Sequence, residues 1–118
     1  MIDASLERVL AAVSGVEAVV LVDGDGMVIS AVGPRRDTME LVAASYMDLA
    51  RRAMGAHREG DLAPPEELML AGAGGSVVFR VVGGEYGLIA VLGPNGLLGK
   101  LRFELRKAGA RIGPELQS

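Results

Sequence analysis

Residues 16–32 read VEAVVLVDGDGMVISAV, and this stretch decides the fold. It contains two runs rich in β-branched residues, 16–22 and 27–32, on either side of Asp23-Gly24-Asp25-Gly26. β-Branched side chains favour strands, and Asp and Gly tolerate the left-handed backbone conformations that tight loops require. The stretch therefore predicts a β-hairpin, and the nearly continuous apolar run of its first strand predicts burial on both faces.

Helical periodicity lies on both sides of this hairpin. Before it, apolar residues recur at three- and four-residue steps over 3–13, which predicts a helix with Asp3 as its cap. After it, a long helix is predicted over about 37–58, with Asp37 or Thr38 as its cap. The hairpin is therefore expected to lie between two helices.

Three more strands and a last helix follow. The strands are predicted at 66–71, 76–82 and 86–92, with glycine-rich turns between them. An apolar stripe over 97–112 predicts the last helix. The order is helix, two strands, helix, three strands, helix, and one sheet with helices on both faces would bury every stripe. The length of 118 residues fits one α/β (α+β) domain spanning 1–118.

The composition excludes several classes of protein. The net charge is −3 and there are two Phe, two Tyr and no Trp, so nucleic acid is not an expected partner. The absence of Cys excludes disulfides and thiolate metal sites, and it suits a reducing compartment. The first residues do not resemble a signal peptide. The longest apolar run, Ala18 to Val22, is far shorter than the ~20 residues of a membrane helix. We expect a cytoplasmic protein without membrane insertion.

Three motifs invite a chemical interpretation, and each fails on spacing or context. Residues 23–26 resemble part of a calcium loop, but position 12 of that loop is Pro34 instead of Glu. Residues 93–100 resemble a phosphate loop, but the glycines are one residue too far apart and Leu101 replaces Ser or Thr. His57, which would have to act as the base of a catalytic triad, lies on the apolar arc near the end of the long helix, where the helix dipole favours a histidine. We expect no enzyme activity, no cofactor and no metal.

Several of these features occur in an order that resembles a known family. They are the apolar stripe Leu6 to Val13, the strand Gly15 to Asp23, the stretch Asp25 to Ser30, Asp37, Leu41-Val42-Ala43-Ala44 and the closing Leu98-Gly99-Lys100-Leu101-Arg102. Together they resemble the Roadblock (dynein-light-chain-like) family, in particular its short prokaryotic, MglB-like members. The resemblance covers about residues 3–112 and depends on the order and spacing of the parts.

The resemblance implies a fold and an assembly. The fold is a five-stranded antiparallel sheet in the order 2-1-5-4-3, with the long helix on one face and the two terminal helices on the other. The assembly is a homodimer in which the long helices pack together and the third strands join edge to edge. The candidate interface residues are Val42, Ala43, Tyr46, Met47, Ala50, Ala53, Met54, Leu68, Met69 and Leu70.

The residues themselves also favour this dimer. The apolar arc of the long helix spans roughly half its circumference, wider than the ~100° stripe of a helix packed on one side. Small residues such as Ala50 and Ala53 on that arc permit close approach of backbones. The strand over 66–71 has neither Pro nor Lys to protect it as a free edge. The alternative is that the loop from Gly60 to Pro65 covers both features within one chain.

The resemblance further implies a regulator of a Ras-like small GTPase, with GTPase activation as one form of that regulation and the chemistry residing in the partner. The candidate docking residues are Asp48, Arg51 and Arg52 on the polar side of the long helix. The simpler interpretation is a pair of surface ion pairs. An arginine finger is a third interpretation, although a helix flank reaches poorly into a partner's site.

Two other functions stay open on the sequence. One is a structural adaptor that uses the same dimer and does not respond to nucleotide. The other is a small-ligand sensing domain, for which the sequence offers no convergent polar cluster. The basic side of the last helix could contact anionic lipid or a partner, although a solvated face is the simpler interpretation.

Overall fold

The computed structural model describes residues 1–116. The elements are α1 (Ile2–Ala12), β1 (Val16–Val22), β2 (Val28–Val32), α2 (Arg36–Glu59), β3 (Glu67–Gly72), β4 (Gly75–Val82), β5 (Tyr86–Leu92) and α3 (Leu98–Leu116). The five strands form one antiparallel sheet in the order β2-β1-β5-β4-β3. The predicted fold and strand order are confirmed.

The β1–β2 hairpin owes its shape to Asp23. Its Oδ1 accepts hydrogen bonds from the backbone N–H groups of Asp25 (2.9 Å) and Met27 (3.0 Å), which closes the loop. Gly26 has φ +84°, and a Cβ there would lie 2.7 Å from the Cα of Ala44 in α2. Only glycine therefore allows this loop to pack against the long helix.

The face of the sheet that carries α1 and α3 has a closed core. α1 lies over β1 and β2, and α3 lies mainly over β4 and β5. The two helices also pack against each other, and Leu6, Leu101, Leu105 and Ile112 are fully buried between them and the sheet. Burial of such large aliphatic side chains is the main source of folding free energy.

The opposite face carries only α2, which lies over β1 and β2. Met39, Ala43, Met47 and Ala50 of α2 are buried against a second core cluster of the sheet. The strand residues of that cluster are Ala18, Val20, Val22, Phe79 and Ile89. This face of the sheet is thus covered by one helix, whereas the opposite face is covered by two.

Both predicted helix caps are wrong by two or three residues, because the N-cap positions are Met1 and Arg35. α1 begins at Ile2 and α2 at Arg36, and neither is capped by a side chain. Asp3 and Asp37 lie instead in the first turns, where a carboxylate favours the positive end of the helix dipole. The Asp3 carboxylate also accepts a hydrogen bond from the Ser30 hydroxyl of β2.

The start of α1 and the end of α3 meet beside the sheet. The Met1 amino group lies 2.8 Å from Oε1 of Glu115. Arg111 Nε donates to the Ser5 hydroxyl between the same two helices (3.4 Å). Within residues 1–116, no helix has the length and apolar character needed to cross a membrane.

Candidate protein-binding surfaces

The candidate interface residues of α2 separate into two groups. Ala43, Met47 and Ala50 are at most 3% exposed because they pack against the chain's own sheet. They therefore have no side-chain area left for a second chain. The other four are half-buried, and they are Val42, Tyr46, Ala53 and Met54. The first three lie along one flank of the helix, whereas Met54 lies toward Arg51. Any interface on α2 is thus formed by its flank and not by its innermost residues.

The candidates on β3 point to both faces of the sheet. Leu68 pairs with Phe79 and Leu70 pairs with Val77, so both leucines lie on the α2 face. Met69 lies on the opposite face. Leu70 is 44% exposed and Met69 42%, which is unusual for large apolar residues of a strand. β3 pairs only with β4 within the described chain, so its other edge is open.

The flank of α2 and the α2 face of β3 and β4 border one surface, which we call the apolar strip. It is formed by Val42, Tyr46, Leu49 and Ala53 of α2 and by Leu68, Leu70 and Val77 of the sheet. The strip exists because α2 lies over β1 and β2 and leaves the β3 side of the sheet without a helix. Leu49 and Leu70 are its most exposed members.

The loop before β3 covers only one end of the strip. Pro65 lies with Ala53, Met54 and Leu68 around a gap of about 10 Å³. The preceding loop residues, 61–64, are exposed. Leu70 at the other end stays open to solvent. The alternative in which residues 60–65 cover the whole surface within one chain therefore applies to one end alone.

Asp48, Arg51 and Arg52 lie together on the exposed side of α2. Arg52 Nε donates to Asp48 Oδ2 at 3.0 Å, and Arg51 NH2 lies 3.9 Å from Asp48 Oδ1. All three side chains are close to half-exposed or more. One carboxylate is thus shared between two guanidinium groups, and the cluster keeps one excess positive charge.

Arg51 makes a contact that sequence reasoning missed. Its NH1 donates to the carbonyl of Gly24 in the β1–β2 loop. The two residues are 27 positions apart, so no local pattern could have indicated the bond. Beside it lies an open depression of about 400 Å³ with Met47, Met54 and Arg58 among its lining residues. Asp25 and Glu85 also line it.

Glu67 also has a partner that the sequence did not indicate. Oε2 of Glu67 accepts hydrogen bonds from Arg102 Nε (3.0 Å) and NH2 (2.8 Å). This carboxylate raises the pKa of the Arg102 guanidinium, first through the hydrogen bond and then through its charge. The pair ties the edge strand β3 to α3, so the open edge is held in place from the opposite face.

The remaining chemical motifs have structural roles. His57 Nδ1 lies 2.9 Å from the Ala53 carbonyl one helical turn earlier. The Gly96 N–H donates to the Gly93 carbonyl in a turn before α3. The part of the chain that the structure describes contains no group of three or more His, Cys, Asp or Glu placed to hold a metal. The surfaces above are therefore the candidate sites.

Comparison with known structures supports the fold. A Roadblock/LC7 domain from Streptomyces avermitilis superimposes with a TM-score of 0.89 at 20% identity, covering 98% of each chain. Myxococcus xanthus MglB gives a TM-score of 0.89 at 20% identity, covering 98% of this chain and 87% of that one. MglC from Myxococcus xanthus gives 0.68 at 22%, covering 95% and 96%. No curated protein sequence matches the chain.

Sequence comparison identifies the family. The model of the Roadblock/LC7 domain matches residues 2–93, which extends from α1 through β5. The match covers well over half of the chain, and the observed strand order is the one that the family resemblance implied. The chain belongs to the Roadblock/LC7 domain family.

Proposed function

We propose that this chain forms a homodimer that binds and regulates a Ras-like small GTPase in the cytoplasm. The observation that carries the proposal is the apolar strip beside the open edge of β3. It indicates a face of the sheet that is completed by a second protein surface. A second copy of the chain supplies a matching helix and a matching edge at once.

In the proposed dimer, two β3 strands pair edge to edge and the two sheets become continuous. The flank of each α2 then packs against the partner's α2 flank, above the joined strands. This arrangement removes Leu49 and Leu70 from water and satisfies the unpaired N–H and C=O groups of β3. Full burial of a leucine side chain contributes about 1.5–3 kcal/mol. Leu49 and Leu70 are 39% and 44% exposed, so each has less than half of that still to gain, and two-fold symmetry counts each gain twice.

The proposed docking surface consists of Asp48, Arg51 and Arg52. It lies on the sides of α2 that face solvent and the β1–β2 loop, away from the flank that forms the apolar strip. A dimer would therefore leave it accessible. Because Arg51 is bonded to the Gly24 carbonyl, docking fits its geometry better than insertion as an arginine finger. The depression beside Arg51 has room for a partner's side chain.

Regulation would follow if the chain binds one nucleotide state of the GTPase more tightly than the other. A GTPase whose switch regions fit this surface better in one nucleotide state is shifted toward that state by the difference in binding free energy. The GTP chemistry would belong entirely to the partner. The effect on hydrolysis could be acceleration, in which case the dimer positions groups that the GTPase already carries.

Two measurements test the proposal. Light scattering on the purified protein should give about twice the 12.2 kDa of one chain. Immobilised protein should then capture a Ras-like GTPase from the host's lysate with a non-hydrolysable GTP analogue and much less of it with GDP. The double substitution Arg51→Glu and Arg52→Glu is the matched bait, and it should lose the GTPase while keeping its mass in solution.

The opposite results have a clear meaning. A monomer at tens of micromolar, or a variant bait that captures the GTPase as well as the native chain, would contradict the proposal. Capture of the same partners with both nucleotides, without a GTPase among them, would favour the adaptor function instead. If the GTPase is captured, a single-turnover assay with and without the dimer shows whether hydrolysis is accelerated.

A further inference from the structure

The charge of the chain is unevenly distributed. α3 carries five of the 12 Lys and Arg residues but only two of the 15 Asp and Glu residues. Its formal charge is therefore +3, whereas the rest of the chain carries −6 within the net charge of −3. Folding does not require a positively charged helix in a chain whose net charge is negative.

The outward side of α3 has no carboxylate. Placed at 100° per residue, Phe103 points directly away from the buried stripe of Leu101, Leu105, Ala108 and Ile112. Lys100, Arg106 and Lys107 flank it within about 60° on either side. Phe103 is 50% exposed, and the Lys107 ammonium lies 4.7 Å from its ring centroid. We call these four residues the basic patch.

Only one of the two carboxylates of α3 pairs with a member of the basic patch. Glu104 is buried and binds Lys107 from below at 3.1 Å. Glu115 pairs with the Met1 amino group at the end of the helix. Lys100 and Arg106 have no hydrogen bond or ion pair to any residue from 1 to 116. Their charges are therefore available to a partner.

Other charges in the same layer weaken the patch only slightly. α1 packs beside α3 and exposes Asp3, Glu7 and Arg8, so the guanidinium of Arg8 offsets one of the two carboxylates. The structure is about 25 Å thick along its shortest axis, whereas the Debye length at physiological ionic strength is ~8 Å. Salt therefore largely screens the acidic groups on the α2 face from an anionic partner that binds the basic patch.

We propose that the basic patch is a binding surface for an anionic lipid bilayer, with Phe103 entering the headgroup region. The outer side of a helix packed on a sheet is convex, so it offers a peptide no groove, but it can lie on a flat surface. Lys and Arg near such a surface are attracted by anionic headgroups, and an aromatic ring among them adds apolar contact.

The proposed dimer strengthens this choice of partner, and this part of the inference rests on the proposed function. If two β3 strands join the sheets, both α3 helices lie on the same face of the joined sheet. The two basic patches then point in the same direction, so both can contact one flat bilayer. The docking surface on α2 would face away from the bilayer, toward a GTPase in solution. Two patches on one plane also bind with avidity.

The test is partitioning onto vesicles. Native protein should co-sediment with vesicles of 30% phosphatidylglycerol in phosphatidylcholine, and it should not bind pure phosphatidylcholine. The double substitution Lys100→Glu and Arg106→Glu should lower the partition coefficient by about 30-fold or more. The matched control, Arg35→Glu and Arg36→Glu at the start of α2, makes the same change of charge on the other face and should have little effect.

A fluorescence measurement locates the contact. The chain has no Trp, so Phe103→Trp places a single reporter in the basic patch. Its emission should shift to shorter wavelength on anionic vesicles and return when salt is raised to 1 M. Leu41→Trp, at a site 86% exposed on α2, should show no shift. Both variants change exposed positions, so folding should be preserved.

The outcomes separate this inference from the proposed function. Absence of binding to anionic vesicles, equal binding by the Lys100→Glu and Arg106→Glu variant, or an unshifted emission from the Phe103→Trp variant would overturn it. Binding to an acidic peptide with none to vesicles would also overturn it, in favour of a protein partner. If the chain is monomeric, the Phe103→Trp shift should still appear, only at higher lipid concentration, so failure of the dimer leaves the test intact.

Discussion

The two faces of the sheet differ in how completely they are covered. On one face, α1 and α3 pack side by side and enclose a core that includes Leu6, Leu101 and Leu105, each fully buried. On the other face, α2 encloses a smaller core and leaves a border of half-buried apolar residues. The first face therefore encloses the larger core, whereas the second leaves apolar area exposed that the proposed dimer would bury.

This difference shows that the apolar residues that the fold buries and those that it leaves exposed lie on different sides of a single helix. The inner side of α2, with Ala43 and Met47, belongs to the fold of the chain. Its flank, with Leu49, keeps apolar area exposed that the fold does not use. Substitutions on the two faces, and on the two sides of α2, should therefore have different consequences.

The largest expected effect comes from the closed face. Leu105→Ala should lower the free energy of unfolding by about 2–5 kcal/mol, because it removes a fully buried side chain and leaves a cavity. Urea unfolding at a fixed protein concentration measures it. Leu97→Ala, at an exposed position just before α3, is the control and should change little. A cost below about 1 kcal/mol would mean that the closed face is loosely packed.

The next effect should appear in association and not in folding. Leu70→Asp places a charge in the apolar strip, and its 44% exposure allows the single chain to fold. Since the substitution occurs twice in a symmetric dimer, the dissociation constant should rise about 100-fold. Sedimentation equilibrium measures it, with Leu62→Asp in the exposed loop as the control. An unchanged constant would place the interface elsewhere.

A smaller effect should come from the core under α2. In Gly87→Ala, the new Cβ would lie 2.4 Å from Cζ of Phe79, so the ring would have to move. Such overpacking costs about 1–3 kcal/mol of stability. Thermal unfolding of both single variants and of the double variant with Phe79→Leu tests the cause. If the two losses of stability simply add in the double variant, the ring of Phe79 is not the cause of the loss in Gly87→Ala.

The smallest effect should come from the exposed side of α2. Arg52→Ala removes the ion pair with Asp48, which is worth about 0.3–0.5 kcal/mol for such an i, i+4 pair. Chemical unfolding in low and in 1 M salt should show a small loss that disappears when the charges are screened. A loss of stability above about 1 kcal/mol, or one that persists in 1 M salt, would mean that Arg52 supports the fold and not a docking surface.

The sequence predicted the fold well because its elements are strongly patterned. The β-branched run of residues 16–22 and the Asp-Gly loop after it have few alternative structures, and the observed strand begins and ends where expected. The helix starts were less predictable. Asp3 and Asp37 have the chemistry of caps, but both lie inside the first turn, and the carboxylate of Asp3 accepts a hydrogen bond from Ser30 of the distant strand β2.

The candidate surfaces were predictable only in outline. A broad apolar arc indicates that a helix has more than one neighbour, but it does not show which part faces the chain's own sheet. The arc therefore does not distinguish Ala43 and Ala50 from Ala53, although only Ala53 lies on the flank. The Arg51 bond to Gly24 and the Glu67 pair with Arg102 join distant positions, so they emerge only from the fold.

The contact of the Met1 amino group with Glu115 has a practical consequence for the order of the chain. Because the start of α1 lies against the last turn of α3, a short linker could join these two helices, and the chain could be reopened at an exposed turn as a circular permutant. Opening it between Ala73 and Gly74 would make β3 the final strand, attached only by the loop before it and its ladder with β4. The strand proposed to join two copies could then be removed by simple truncation, leaving the other four strands and all three helices in sequence.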